Sequence, residues 1–93
     1  MSTPIIQDFQ FDADNLDKLA THRLSDWQVA EILDNEHVVV PNRKRRRAKY
    51  LVIGLDNAGN CLTVPVAPTS DRGVWRPVTA WRCKDSERAK LQR

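Results

Sequence analysis

The chain predicts an α+β domain, with two N-terminal helices and a short C-terminal helix packed on a small antiparallel sheet. Three observations carry this reading: helical spacing with capping residues before residue 35, valine-rich and alternating runs after it, and turn-forming residues between those runs. Ninety-three residues, 41% hydrophobic and 29% charged, suit one domain with one packed core.

Phe9 and Phe11 alternate with polar neighbours over residues 8–12, which predicts a short strand; residues 1–8 are expected to be a flexible lead-in. Asp12 or Asp14 can cap the helix that follows. Leu16, Leu19 and Ala20 recur at helical spacing, the first turn is acidic, and the helix should end near His22. Ser25 and Gln28 form a capping box for a second helix running to about Leu33 or Asp34. Trp27, Val29, Ala30, Ile32 and Leu33 give it a broad apolar stripe, with Trp27 a natural partner for a later tryptophan.

Val38, Val39 and Val40 then begin β structure, and Pro41 stops the run. The next strand covers about 48–55, with Tyr50, Val52 and Gly54 on one face and Leu51, Ile53 and Leu55 on the other. Asp56-Asn57-Ala58-Gly59 turns the chain into a partner strand over 60–66. A polar loop leads to a last strand over 74–82 and a charged helix over 84–92, so the order is β-α-α-β-β-β-β-α. Pro65 and Pro77 sit awkwardly in these strands, and one of them should be interrupted. All helices are expected on one sheet face, which leaves the other face open for function.

Charge is divided unevenly along the chain. Residues 1–42 hold eight acids against two bases, a net of −6, and the remainder holds thirteen bases against four acids, a net of +9. A basic surface of this kind concentrates polyanions and releases their counterions on binding, and RNA is the expected partner. The densest feature is Arg43, Lys44, Arg45, Arg46, Arg47 and Lys49, six bases in seven positions; its bland alternative is a solvated turn. Period two over 74–82 puts Arg76 and Arg82 on one face and Trp75, Thr79 and Trp81 on the other.

No run reaches the ~20 apolar residues of a membrane span, and no leader precedes the chain, so a cytoplasmic location is expected. Cys61 and Cys83 can form one disulfide at most, and in that compartment free thiols are expected. No spacing of Cys, His and acids resembles a metal set, and no glycine-rich phosphate loop or nucleophile elbow is present; no cofactor is expected.

Several of these residues fall in the order of a known family. Phe11-Asp12, Asn15, Lys18, His22 and Leu24-Ser25 with the helix through Val29 to Leu33 resemble the opening of BrnT-like bacterial toxins. Tyr50 to Gly54, Gly59 with Leu62-Thr63-Val64, and Trp75-Arg76 leading to Thr79-Ala80-Trp81-Arg82, Asp85 and Arg88 resemble its sheet and closing helix. The family's Lys-His-Gly turn is Thr21-His22-Arg23 here, its Gly-Arg is Gly59-Asn60, and Pro77 enters a strand that is usually regular. The resemblance implies a RelE-like fold, metal-independent RNA cleavage, and silencing by a cognate antitoxin that often binds DNA. Such cleavage needs the 2′-hydroxyl deprotonated, the phosphorane stabilised and the leaving oxygen protonated. On this reading Arg47, Arg76 and Arg82 hold the phosphate, His22 or Lys49 moves protons, and Arg43, Lys44, Arg45, Arg46 and Arg88 bind RNA. The alternatives are a non-catalytic nucleic-acid or partner-binding module of the same fold, and a basic run that only seats an acidic antitoxin segment.

Overall fold

A computed structural model of the chain describes residues 3–44 and 48–91. In chain order the elements are β1 (Asp8–Phe9), α1 (Ala13–Thr21), α2 (Asp26–Glu31), β2 (His37–Pro41), β3 (Tyr50–Leu55), β4 (Cys61–Pro68), β5 (Val74–Pro77), β6 (Trp81–Arg82) and α3 (Asp85–Leu91). The strands form one sheet in the order β1-β5-β4-β3-β2, and β6 also pairs with β4, beyond the end of β5. The α+β class stands, with one more strand than expected. The sheet is mixed, not purely antiparallel, because β1 runs parallel to β5.

Capping decides where the first two helices begin. Asp12 accepts the Asn15 N–H at 2.9 Å while the Asn15 side chain accepts the Asp12 N–H at 2.8 Å, and Ser25 and Gln28 make the same reciprocal pair. Asn15 does more than cap. Fully buried, its amide donates to the carbonyls of Gln10 and Pro77, both at 3.0 Å, tying the start of α1 to the exit of β1 and the end of β5. The lead-in is held as well: Ile6 is buried and the Gln7 N–H donates to the Gly73 carbonyl at 2.8 Å.

The helical hairpin covers one sheet face. Leu19, Leu24, Val29 and Ile32 pack on Val52, Leu62, Val64 and Val66, with Phe9 and Ile6 at the β1 side. Each such side chain contributes about 1.5–3 kcal/mol on burial. Leu16, expected to face the core, is partly exposed, and Trp27 is 63% exposed and packs on no later tryptophan. Gly54 leaves room for the residue that ends α2: a Cβ there would meet the Cβ atoms of His37 at 2.7 Å and Ile32 at 3.0 Å. The turn after β3 is held by buried Asp56, which accepts the N–H groups of Ala58 and Asn60, and by Gly59 at φ +88°.

The expectation that every helix lies on one face is corrected. α3 packs against β2 and β3 on the opposite side, burying Leu91 on Ile53 and Cys61, with Val38, Val40 and Leu51 around them. The reason lies between β5 and β6. Val66 pairs with Pro77 but Thr63 pairs with Trp81, so three steps along β4 match four along its partner. This is a β-bulge, and one extra residue sends every later side chain to the other face. Trp75 therefore joins the helical-hairpin core, edge-on to Tyr50, whereas Trp81 faces α3. Arg76 and Arg82 are likewise separated, contrary to strict period two.

Both prolines fit this geometry. The Val78 and Cys83 N–H groups donate to the carbonyls of Pro65 and Cys61, so residues 61, 63 and 65 direct their backbone groups away from β3. Pro65 thus lacks its donor where the partner strand bulges. Pro77 directs its backbone away from β4, past the end of β1, and the Asn15 amide takes its carbonyl.

Cys61 and Cys83 are joined in a disulfide, which replaces the expected free thiols. The cysteines are cross-strand neighbours, since the Cys83 N–H donates to the Cys61 carbonyl at 2.9 Å. Closing 22 residues of chain should stabilise the fold by about 3 kcal/mol. Thermal unfolding with and without reductant should show this loss in wild type and no reductant effect in Cys61→Ala/Cys83→Ala. Asn15→Ala, which strands the Pro77 carbonyl, should cost about 3 kcal/mol in urea unfolding; Asn15→Asp should not restore it, having no amide to donate.

Candidate nucleic-acid interface

The basic run leaves the sheet at the end of β2, and Asn42 shapes its departure. The Asn42 N–H donates to the Lys49 carbonyl and its side-chain amide to the Ala48 carbonyl, both at 3.0 Å, while its Oδ1 accepts the Lys44 N–H at 3.2 Å. Arg43 and Lys44 are thereby set at the hairpin base, both exposed.

α3 supplies the opposite wall, positioned by a buried carboxylate. Glu87 accepts from Thr63 Oγ1 at 3.0 Å, Trp81 Nε1 at 3.1 Å and the Lys84 N–H at 2.8 Å. The last of these is the N-terminal half of a capping box; the first two anchor the helix to β4 and β6. With Glu87 and Leu91 turned down at i, i+4, Ser86 and Lys90 project toward β2, and Arg88 projects from the far side of the helix.

Between these walls lies a cleft of about 470 Å³. Val40, Leu51 and half-buried Trp81 give it apolar surface, and Arg43, Lys44, Lys84 and Lys90 surround it. Its single lining carboxylate, Glu87, is already engaged by three donors. Among the described residues the one ion pair within 4 Å is Arg76 with Asp12, so these four cations are not neutralised by a described acid. A second hollow, about 590 Å³ between residues 3–7 and 68–75, is larger but carries one acid, Asp71, against one base, Arg72. Charge makes the first the candidate polyanion site.

The other expected site residues that the structure describes do not line this cleft. Arg45, Arg46 and Arg47 lie outside the described residues. Arg76 is held by Asp12 through two bonds, Nε to Oδ2 at 2.6 Å and a terminal nitrogen to Oδ1 at 3.0 Å. His22 caps the other end of α1, about 15 Å along its axis from Asp12, so His22 and Arg76 do not meet over one phosphate. Lys49 is bonded to Val66, beside Ala67, which pairs with Arg76, so these two lie at one end of the sheet; Arg82 pairs with Leu62, about 13 Å from Val66 along β4. Lys84 and Lys90 were missed, because their role depends on which face of the sheet α3 covers. The spacing of Ser86 and Lys90 opposite Glu87 and Leu91 was the available signal.

Among the described residues, no three His, Cys, Asp or Glu side chains converge as a metal-binding group, and no helix is long and apolar enough to cross a membrane. Fold and site together define a small α+β protein with a basic cleft between its last helix and an edge strand. No protein-family model, curated protein or solved structure matches the chain.

Asp12, away from the cleft, links the stability of the fold to pH. The hydrogen bond from Arg76, with the Asn15 backbone N–H, holds its carboxyl below the usual 3.8. A carboxyl depressed in the folded state stabilises the protein above about pH 4, and this contribution is lost as pH falls through its folded pKa. Acid unfolding of Asp12→Asn, followed by circular dichroism, should accordingly show a shallower loss of stability below pH 4 than wild type.

Proposed function

We infer that the protein binds single-stranded RNA in the cleft between α3 and the end of β2. The observation that carries this is four cations around an apolar floor that includes an indole, with no described carboxylate left to pair them. Lysine and arginine attract the phosphates, and an aromatic side chain offers a stacking surface for a base. Binding without cleavage is the reading this cleft supports, since none of His22, Lys49, Arg76 and Arg82 lines it.

Fluorescence anisotropy with a labelled single-stranded RNA, in EDTA and over a salt series, tests this directly. Lys84→Ala/Lys90→Ala should weaken binding roughly tenfold and lower the slope of log K against log salt by about 1.4, while Arg88→Ala changes either little. A double variant that binds like wild type would remove the cleft from consideration. RNA fragments ending in 2′,3′-cyclic phosphate, with growth arrest on expression, would return the function to a ribonuclease toxin.

A further inference from the structure

β2 closes one side of the sheet, paired with β3 along one edge and with nothing along the other among the described residues. Bonds at the two ends of the pair show which backbone groups stay open. The Leu55 N–H donates to the Glu36 carbonyl and the Asn42 N–H to the Lys49 carbonyl, so residues 36, 38, 40 and 42 face β3. Residues 37, 39 and 41 therefore face outward. Pro41 has no N–H, which leaves His37 and Val39 as the donors of the free edge. An open edge bearing three valines is a template for another strand.

The surrounding charges select that strand. Exposed Asp34 and Glu36 immediately precede β2, and exposed Arg43 and Lys44 immediately follow it. Such a segment is complementary to itself when reversed and repels itself when laid parallel. We propose that two copies of the chain pair antiparallel through β2 and form a symmetric dimer with one continuous sheet. A twofold axis at Val38 sets His37 of each copy against Val39 of the other, which uses all four outward N–H groups and leaves Pro41 outside the ladder. Glu36 then lies opposite Val40 of the other copy, and beyond the ladder the acidic flank with Asp34 and Glu36 lies toward the basic flank with Arg43 and Lys44 in both halves. Val38 meets Val38 of the other copy on the α3 side, with Val40 diagonal to it, and both basic clefts open on the same face. The dimer does not depend on RNA and is tested without it.

An interface of one strand pair belongs to the small, weak class, so sedimentation velocity should span about 10 µM to about 1 mM. The expected mass rises from the 10.7 kDa of one chain toward twice that value. Val39→Pro removes an outward donor and takes no bond from β3; it should remain monomeric with an unchanged circular dichroism spectrum. Asp34→Lys/Glu36→Lys and Arg43→Glu/Lys44→Glu should each be monomeric alone and should restore the dimer when mixed. One-chain mass at every concentration would overturn the proposal, as would a dimer that survives in folded Val39→Pro and in both charge reversals.

Discussion

A side-chain amide buried under the first helix sets the course of the chain far downstream. Asn15 holds the carbonyl of Pro77, and with it the point at which β5 stops. Immediately beyond, the strand bulges, β6 resumes on β4 with its faces exchanged, and α3 is delivered to the opposite side of the sheet. The disulfide and the Glu87 bonds then fasten β6 and α3 where the bulge has sent them. The basic cleft exists only because α3 lies beside β2. Its geometry is thus inherited from contacts made on the far face.

Polar groups in this protein are spent on position. Asp12 neutralises Arg76 and caps α1; Glu87 satisfies three donors; Asp56, pushed up by burial, is held below its ordinary value by the hydrogen bonds of Asn60, Gln28 and Ala58 that outweigh it. Each buried carboxylate is matched to donors, as burial demands. The cations of the cleft are treated differently. They stand at its rim in solvent, where an unpaired charge costs little and remains available to a phosphate.

Local chemistry was legible before any coordinates. The second helix start follows from the Ser25–Gln28 box and the first from Asp12, one of two candidate caps; the alternation of Tyr50 to Leu55 matches the observed faces, and Gly59 takes the positive φ of the turn. What failed was long-range. Asn15 looks like a surface residue until its partner at position 77 is known, and Trp27 sits at an apolar helical position but stays largely exposed outside the core. Period two cannot reveal a bulge, so alone it puts Arg76 and Arg82 on one face and gives no sign that α3 crosses to the other side of the sheet. Arg43 and Lys44 were found through sheer charge density, whereas Lys84 and Lys90 acquire meaning only from the fold. The disulfide was hidden because 22 residues separate two cysteines that cross-strand pairing makes neighbours.

The bulge also constrains how this chain can change length. Removing or adding a single residue between Pro77 and Trp81 would invert the parity of everything that follows, turning Trp81 away from Glu87 and Cys83 away from Cys61. A change of two residues would keep that parity, with the difference in length taken up where the strand bulges. This connection should tolerate even steps in length and resist odd ones, a rule that neither its exposure nor its composition would disclose.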